Sequence, residues 1–365
     1  MVFFIFIRLL MTFRKIALKI HLYLGLTCGL IASFSGLTGS LYVWQPEITA
    51  LLNPKLLKVE NFEAINERSF LKTAASLSEI HKDSITQLLL PYREQQTISI
   101  LFKNGKTLYY HPVTQNFLGE KTSSILFFED LLSLHRTLGI PNIGKYIIGG
   151  STLLFLFFLL TSGAYIWWKI YAKNLLKGFK IKWNYKISKL NFTIHKALGI
   201  YFLIPLAIIA FSGAYFTYIP YYKSALKVFD GFTKTTPDTQ KNHFKNTIDF
   251  NDLLRNSTEH YALRAIYFPK DSSDKYRFRY IKDRPIKAGL RKTKEVELTL
   301  TGNATILSDF SIDSNSNRIA AQFYPIHIGE IMGVFGRFLV FVSGFIPFVL
   351  FITGCRIYFI KKNKK

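Results

Sequence analysis

Four long apolar windows constrain this chain more than any other feature of its sequence. They run over Ile20–Trp44, Tyr146–Trp168, Leu198–Tyr218 and Phe335–Ile360. Each window is long enough to cross a hydrocarbon core of about 30 Å, which needs about 20 apolar residues. Trp and Tyr side chains at or near the window ends lie where aromatic residues anchor membrane helices. The windows therefore predict four transmembrane helices rather than the buried helices of a soluble protein.

The distribution of Lys and Arg predicts the orientation of these helices. Eight Lys and no acidic residue occur from Lys169 to Lys196, and basic residues also cluster before the first window and after the last. Short basic segments stay on the cytoplasmic side of a membrane. We therefore expect a multi-pass protein of the bacterial inner membrane with both termini in the cytoplasm. Much of the net charge of +24 follows from this topology, and without a nucleic-acid-binding motif we expect the lipid bilayer, and no nucleic acid, as a partner.

The windows and their flanks define the predicted segments. These are a cytoplasmic N-terminal segment 1–14, transmembrane helix 1 at 15–44, an outer domain at 45–134, an interfacial segment with transmembrane helix 2 at 135–168, a basic cytoplasmic loop at 169–194, transmembrane helix 3 at 195–219, a second outer domain at 220–325, an interfacial segment with transmembrane helix 4 at 326–360, and a cytoplasmic tail at 361–365. Met11 is an alternative initiator, because Met1–Leu10 lacks the small-residue cleavage site of a signal peptide.

The two outer segments share one pattern, a helix followed by strands. In the first segment the predicted elements are a helix over Phe70–His81 and strands over Thr97–Phe102 and Thr107–Tyr110. In the second they are a helix over Asp249–Tyr261, strands over Lys275–Ile281 and Glu295–Leu300, and a turn at Thr301–Asn303. Alternation with short turns is typical of antiparallel strands. Each segment is therefore predicted to form a small α+β domain.

The chain also contains an internal repeat. The first window aligns with the third without a gap, so that His21 matches His195 and Thr38-Gly39 matches Ser212-Gly213. The second and fourth windows align likewise: His135 precedes Ser162-Gly163, and His327 precedes Thr353-Gly354. The sequence therefore predicts a tandem duplication of a unit made of helix, outer domain and helix. The expected fold is an all-α four-helix membrane bundle with two α+β extracytoplasmic domains.

The repeat places four histidines in two pairs. His21 and His195 begin the first and third helices on the cytoplasmic side, whereas His135 and His327 precede the second and fourth helices on the outer side. Two imidazoles on facing helices are suitable axial ligands for haem iron. Zinc normally needs more ligands, for which Glu330 is the main additional candidate. Cys28 and Cys355 lie inside windows and no C-x-x-C-H motif occurs, so any haem is expected to be bound non-covalently.

Several fragments together resemble a known family. These are IHLYLGL and LTG in the first window, LHRTLG and TSGAYIWW around the second, IHKALG and FSG in the third, and IHIGEIMGVFGRF and ITG around the fourth. The chain resembles the PepSY-associated transmembrane proteins, which include iron-regulated membrane proteins and siderophore-iron reductases. The outer segments look like PepSY domains.

The resemblance implies a membrane reductase that binds two b-type haems per chain. It would pass electrons from a donor on the cytoplasmic side, either a quinol or a flavin reductase, to ferric siderophore iron in the periplasm. His21 and His195 would hold the inner haem, and His135 and His327 the outer one. Arg136 and Arg337 are expected to pair with haem propionates, although the family's His-Arg dipeptide is retained only at His135. No catalytic acid, base or nucleophile is expected.

Two other functions remain open from the sequence. The outer domains could be binding modules that inhibit a peptidase or sense envelope ligands, with no redox activity. Alternatively, the chain could be a transporter subunit, for which Pro205 and Pro347 would break the third and fourth helices. The stretch Lys275–Lys294, with nine basic residues and one acidic residue, is a candidate docking surface or simply a solvated face.

Overall fold

The computed structural model describes residues 2–82, 84–231, 261–270, 275–299 and 304–362. The chain divides into two compact units, each assembled from separate stretches of sequence. The first unit contains residues 1–43, 129–222 and 323–365, and the second contains residues 44–128 and 223–322. The first unit therefore holds the apolar windows, and the second holds most of the two long segments between them.

Helices account for nearly all of the first unit. In chain order, the helices of the described residues are α1 (Val2–Leu26), α2 (Cys28–Val43), α3 (Gln45–Leu52), α4 (Pro54–Leu57), α5 (Glu67–Ile80), α6 (Ser123–Thr137), α7 (Gly144–Leu154), α8 (Thr161–Tyr171), α9 (Leu175–Phe179), α10 (Ile187–Tyr201), α11 (Leu203–Tyr215), α12 (Ile219–Leu226), α13 (Asn315–Ala320), α14 (Phe323–His327) and α15 (Gly333–Lys362). A π-helical turn, Phe155–Leu160, joins α7 to α8, so that one helical segment runs through the second apolar window.

The helices of the first unit include two that are long and apolar enough to cross a membrane, Gly144–Tyr171 and Glu330–Lys362. Two further pairs pass the same test jointly. Phe13–Leu26 and Cys28–Val43 meet at an angle of 47°, and Lys189–Tyr201 and Leu203–Tyr215 meet at 60°. The described residues thus contain two spans, or up to four if each bent pair crosses the membrane as one span. Each of the four predicted windows coincides with one of these helices or pairs.

The two bends have different local causes. Pro205 has no N–H to donate to the carbonyl of Tyr201, and its ring crowds that carbonyl, so the helix breaks at Phe202. At the other bend, the Thr27 hydroxyl donates a hydrogen bond to the carbonyl of Tyr23 at 2.9 Å, a contact that often bends helices. Pro347, in contrast, lies inside α15, which continues through it.

Small residues allow α2 and α15 to pack closely. A Cβ atom built on Gly36 would overlap the carbonyl oxygen of Gly344, so the two backbones touch at this point. One turn further along, the Ser40 hydroxyl donates to the carbonyl of Phe341 at 2.8 Å. Elsewhere in the unit, an apolar cluster joins the π-helical turn to α11 and α15. Its buried members are Phe155, Leu159, Leu206, Ala210 and Ile346.

The second unit is built on an antiparallel sheet. Its strands are β1 (Ile85–Leu89), β2 (Ile98–Phe102), β3 (Thr107–Tyr110), β4 (Phe117–Glu120), β5 (Ala262–Tyr267), β6 (Tyr276–Ile281), β7 (Thr293–Leu298) and β8 (Ala304–Asp309). The described residues form one eight-stranded sheet in the order β4-β3-β2-β1-β5-β6-β7-β8. Every neighbouring pair is antiparallel.

The sequence predicts two separate outer domains, but in the structure the two outer segments share one sheet. The edge strands β1 and β5 pair with each other, with Leu88 opposite Ile266. Phe70 and Leu71 of α5 belong to a core cluster that includes strand residues from both segments. Each segment contributes four strands to the sheet. Pairing β1 with β5 satisfies backbone groups that would be free at two sheet edges, and it lets α5 contribute to a shared core.

Most predicted elements of the second unit that can be compared are confirmed. The helix predicted over Phe70–His81 is α5, and the strands predicted over Thr97–Phe102, Thr107–Tyr110, Lys275–Ile281 and Glu295–Leu300 correspond to β2, β3, β6 and β7 with ends that differ by up to two residues. Strands β1, β4, β5 and β8 have no counterpart among the predicted strands. The predicted helix over Asp249–Tyr261, apart from its last residue, and the predicted turn at Thr301–Asn303 lie outside the described residues.

Candidate functional site

The four histidines of the repeat form two pairs in the first unit. The ring centroids of His21 and His195 are 6.1 Å apart, with an angle of 88° between the ring planes. Those of His135 and His327 are 6.2 Å apart, with an angle of 44°. The structure thus brings together the same two pairs that the sequence predicts.

His21 is held by the π-helical turn and the first residues of α8. Its Nδ1 lies 3.2 Å from the carbonyl oxygen of Leu159 and 3.1 Å from the hydroxyl oxygen of Ser162. Leu159 is the fifth residue of the π-helical turn. Such turns often occur at functional sites, because the wider coil leaves carbonyl groups available to side chains. The imidazole is therefore anchored through one nitrogen.

The other three histidines are anchored through the same nitrogen. Nδ1 of His135 lies 2.9 Å from the Ser35 carbonyl oxygen and 3.3 Å from the Thr38 hydroxyl. Nδ1 of His327 lies 3.1 Å from the Ile209 carbonyl oxygen and 3.3 Å from the Ser212 hydroxyl. Nδ1 of His195 lies 3.0 Å from the Thr353 hydroxyl. In all four cases the hydroxyl belongs to the Ser-Gly or Thr-Gly dipeptide of a different helix.

These hydroxyls determine which ring nitrogen carries the proton. Each hydroxyl donates its single proton to a carbonyl of its own helix: Ser162 to Leu159, Thr38 to Phe34, Ser212 to Ile208 and Thr353 to Val349. With the hydroxyl protons assigned in this way, each hydroxyl accepts from the imidazole and Nδ1 donates. The carbonyl partners of His21, His135 and His327 require the same, because a carbonyl only accepts. Among the described residues, Nε2 of these four histidines has no hydrogen-bond partner. A lone pair on Nε2 is thus available in each ring to bind a metal.

A glycine lies against each imidazole. A Cβ atom built on Gly163 would be 2.9 Å from Cε1 of His21, and the corresponding distance from Gly213 to His327 is also 2.9 Å. For Gly39 and His135 it is 2.8 Å, and for Gly354 and His195 it is 3.4 Å. Carbon atoms ordinarily approach to about 3.5–4.0 Å. The glycine of each dipeptide therefore provides the space that the ring occupies, and the hydroxyl orients the ring.

The spacing within each pair fits two ligands of one haem iron. Imidazole nitrogens bind metals at about 2 Å, and a ring centre lies about 1.1 Å behind its nitrogen, so two axial rings have centroids roughly 6.2 Å apart. The observed distances are 6.1 and 6.2 Å. Within the described part of the chain, no group of three or more His, Cys, Asp or Glu side chains is placed to hold a metal ion. The donor set at each position is therefore two imidazoles, which suits haem better than zinc.

A cavity of about 450 Å³ adjoins His21 and His195. Its walls come from α1, α2, the π-helical turn, α8, α10, α11 and α15, and they are mainly aliphatic and aromatic. Gly25, Gly29 and Gly199 are among the lining residues, and they leave room beside the helix backbones. An apolar cavity with two available imidazole nitrogens can accommodate a flat macrocycle and exclude water from its metal.

The two arginines predicted to bind propionates lie in different environments. Arg337 is buried, with 2% of its surface exposed, and its guanidinium donates to the carbonyl of Val43 at 2.6 Å. Val43 is the last residue of α2, so this contact satisfies a carbonyl at a helix end. Arg136 is exposed at the end of α6 and has no hydrogen bond or ion pair with a described residue. Their propionate role remains a prediction.

In the second unit, carboxylates neutralise much of the charge of Lys275–Lys294. Lys275 pairs with Glu297 at 2.8 Å, and Arg279 pairs with Glu295 at 2.6 Å. Arg284, Lys287 and Lys294 also pair with carboxylates, those of Glu67, Asp283 and Asp309. Five of the nine basic residues therefore have acidic partners within the unit. Docking at this stretch remains a prediction, but the available charge is smaller than the sequence indicates.

The anchoring role of the hydroxyls is not predicted from the sequence. In the sequence, the hydroxyl–glycine dipeptides only mark matching positions of the repeat, namely Thr38-Gly39, Ser162-Gly163, Ser212-Gly213 and Thr353-Gly354. The signal was the recurrence of a hydroxyl residue before the glycine in all four windows. Its meaning depended on which helix each dipeptide contacts, and spacing along one helix does not reveal that.

These features define a class of protein. The first unit contains apolar helices and bent helix pairs of membrane-spanning length, as expected of a membrane protein. The same unit carries the paired histidines, and the second unit is built on an antiparallel sheet. The chain belongs to the family described as the PepSY-associated TM region, which it matches over residues 18–362. No curated protein matches the chain.

Proposed function

We propose that this protein is a di-haem reductase of the inner membrane. His21 and His195 hold one haem b near the cytoplasmic side, and His135 and His327 hold a second near the periplasmic side. Electrons pass from a cytoplasmic flavin reductase or a membrane quinol to ferric iron held by a siderophore in the periplasm. The observation that carries this proposal is the presence of two histidine pairs with nearly equal separations of 6.1 and 6.2 Å and the same Nδ1 anchoring.

The two pairs lie at different depths in a four-helix bundle. Eighteen residues separate His21 from Gly39, which contacts His135, and a helix of that length spans about 27 Å before bending is considered. The hydrocarbon core of a membrane is about 30 Å thick. The two pairs are therefore spaced to carry electrons between opposite faces of the bilayer.

A tandem duplication accounts for this arrangement. Strand order in the sheet is symmetrical about the β1–β5 junction, where Leu88 faces Ile266. The two bent helix pairs break at Thr27 and Phe202, which follow His21 and His195 by six and seven residues. Each histidine pair likewise takes one residue from each half of the chain. We infer that the two halves derive from one repeated unit, because each histidine pair takes one residue from each half.

The residues of this chain bind and orient rather than react. When bound, haem supplies one-electron chemistry, and reduction of ferric iron weakens its bonds to the hard oxygen donors of a siderophore. The Ser and Thr hydroxyls fix the imidazole orientation and keep the proton on Nδ1. The apolar cavity wall excludes water, and no side chain is required to act as an acid, base or nucleophile.

Absorbance spectroscopy of the detergent-purified protein tests the proposal. We expect low-spin b-type bands in the reduced and oxidised states. About two haems should be bound per chain, because each haem is assigned two of the four imidazoles. His21→Ala and His327→Ala should each lower the content to about one. His81→Ala is the matched control, since His81 lies in the second unit and contacts Tyr110. A colourless protein that keeps its biological activity would contradict the proposal.

A transporter subunit is the second candidate function, because broken helices line the substrate sites of many transporters. The bends at Thr27 and Phe202 are the observation that favours it. Both bends are next to residues that line the cavity, such as Leu26 and Leu203. The same spectra separate the two functions, since a transporter without redox activity needs no haem at either histidine pair.

A further inference from the structure

Few charged side chains line the cavity beside His21 and His195. Among the residues that line it, Lys196 and Lys361 are the only Lys, Arg, Asp or Glu residues. The remaining wall is mostly apolar, apart from the two histidines and from Tyr171 and Tyr358. Among the lining residues, only these two lysines can therefore neutralise an anionic group of a ligand in this cavity.

The lysines also make the two halves of the cavity different. The shift from His21 to His195 is 174 residues, and it places Lys196 at the position of Leu22. The shift from Gly163 to Gly354 is 191 residues, and it places Lys361 at the position of Ile170. Both apolar counterparts line the cavity as well. The lysines of the cavity wall therefore come only from α10 and α15, and the Lys196 Nζ also contacts Tyr171 of α8 and donates to the carbonyl of Lys177.

Both lysines are close in sequence to the groups that position His195. Lys196 follows His195 directly, and its Nζ lies 4.5 Å from the ring centre of Tyr171. Lys361 is seven residues beyond Gly354, two helical turns further along the same face of α15. Gly354 contacts the His195 ring. The distance along the helix is about 10 Å, within the combined reach of a lysine side chain and a macrocycle with short acidic arms.

We infer that Lys196 and Lys361 bind the two carboxylates of the haem held by His21 and His195, and that they turn its acidic edge toward α10 and α15. This inference rests on the proposed function. Haem is itself asymmetric, because its carboxylates lie on one edge, and a carboxylate is costly to place against an apolar wall without a cationic partner. Leu22 and Ile170 cannot provide that partner, so the opposite orientation leaves both carboxylates uncompensated.

This assignment differs from the arginine assignment made from the family resemblance. Arg337 contacts the carbonyl of Val43, and Arg136 lies on the helix that carries His135. Neither arginine lines the cavity of the His21 pair. The carboxylates at this pair therefore depend on lysines, which bind as point charges rather than through two parallel hydrogen bonds.

The test compares haem with its dimethyl ester, in which the carboxylates carry no charge. Apoprotein with His327→Ala is used so that only the His21 pair is measured. In this background, we expect Lys196→Gln with Lys361→Gln to weaken binding of ferric haem roughly tenfold or more, as for loss of two charge-assisted contacts. The ester should bind equally well with and without the lysines. Lys362→Gln is the matched control, because Lys362 neighbours Lys361 but does not line the cavity.

A second readout uses the complete protein with both pairs intact. Removing two positive charges beside one haem should lower the midpoint potential of that haem and leave the other unchanged, since reduction adds negative charge. Each single lysine variant should show part of both effects. The single variants therefore keep the inference testable if the double variant does not fold.

The outcomes distinguish the inference from the proposed function. If haem and ester lose affinity equally, the lysines support the cavity in another way and the inference is wrong. The affinities are measured in lipid nanodiscs with and without anionic lipid. If the loss for both ligands depends on the anionic lipid, the lysines bind lipid headgroups instead and the inference is wrong. If the parent protein binds neither ligand, the proposed function fails together with the inference.

Discussion

At the scale of single residues, each of the four imidazoles depends on two neighbours, a hydroxyl that receives its Nδ1 proton and a glycine that makes room for its ring. The hydroxyl and the glycine are consecutive in sequence, so one dipeptide on one helix turn performs both tasks. For His327 these neighbours are Ser212 and Gly213. The ring position is therefore determined by contacts that leave Nε2 available.

Gly213→Ala tests the requirement for this space. The added methyl group would lie 2.9 Å from Cε1 of His327, which is too close for two carbon atoms, so the ring must move away. On the proposed function, we expect the haem at the His135 pair to be lost or its potential to change, while the haem at the His21 pair is retained. Haem content per chain and a redox titration measure this.

Gly150→Ala is the control for this substitution. The nearest atom to a methyl group there is the Tyr218 hydroxyl oxygen at 3.9 Å, an ordinary contact. We expect this variant to match the parent protein in haem content and potential. Two haems with unchanged potentials in Gly213→Ala would show that the close approach is not required.

The histidine pairs could be predicted from sequence, but their anchors could not. Equal positions in a repeat place His21 with His195 and His135 with His327, without knowledge of helix packing. The hydroxyl partner of His21 is Ser162, 141 positions away, and it depends on how the first and second windows pack. Spacing within one window carries no information on that contact.

At the scale of secondary-structure elements, close backbone contact joins α2 to α15. Gly36 and Gly344 touch at their backbones, as small residues commonly allow at membrane helix interfaces. Because lipid is as apolar as a leucine side chain, such packing rather than the hydrophobic effect holds membrane helices together. The α2–α15 contact should therefore be sensitive to a single methyl group.

Gly36→Ala should destabilise this helix pair. The new methyl group would overlap the Gly344 carbonyl, so α2 and α15 must separate, at a cost of about 1–3 kcal/mol for overpacking. Thermal unfolding of the detergent-purified protein should show a lower midpoint. Gly29→Ala on the same helix is the control, because its nearest contact would be Phe351 at 3.6 Å. Equal midpoints for the two variants would show that the helices can separate at little cost.

The positions of the helices followed from the apolar windows, but only one of the two bends could be predicted. Pro205 signals a break in the third window, and the structure bends there by 60°. The bend of 47° at Thr27 has no proline, and Thr is common inside membrane helices. The π-helical turn at Phe155–Leu160 has no local sequence signal that we recognise.

At the scale of the whole molecule, the second unit joins two distant stretches of chain in one sheet. Besides the β1–β5 strand pair, arginine side chains connect the two stretches, and Arg284 makes several of these contacts. Arg284 donates through Nε to Glu67 of α5 at 3.0 Å, and its other nitrogens donate to the carbonyls of Pro91 and Leu263. Only 12% of the Arg284 side chain is exposed. Its contacts therefore lie where the two stretches meet.

Arg284→Met should weaken this junction. The change leaves the carboxylate of Glu67 and two carbonyls without their partner, which costs about 3 kcal/mol for a largely buried pair. Hydrogen exchange should become faster in the amides of β1 and β5. Lys287→Met is the control, since its pair with Asp283 is exposed and worth less than about 1 kcal/mol.

A double variant separates the ion pair from other effects. Adding Glu67→Leu to Arg284→Met removes the uncompensated carboxylate, so part of the lost stability should return. If Arg284→Met exchanges no faster than Lys287→Met, the arginine does not hold the junction together.

The joining of the outer segments could not be predicted from the sequence. Both segments show the strands of a small α+β domain, and each is a reasonable domain by itself. Strands β1 and β5, which join the two halves of the sheet, have no counterpart among the predicted strands. Their pairing links residues such as Leu88 and Ile266, which no local pattern relates.

The exchange of anchors between helices also has a consequence for biosynthesis. His195 at one pair is oriented by Thr353, and the other pair takes its second ring from His327. Thr353 lies in the fourth window, so a chain emerging from the ribosome completes the setting of His195 only after its last apolar helix has been made. On the proposed function, the haem at the His21 pair is therefore acquired only after the fourth window has been made, and products that stop before this window should lack that haem.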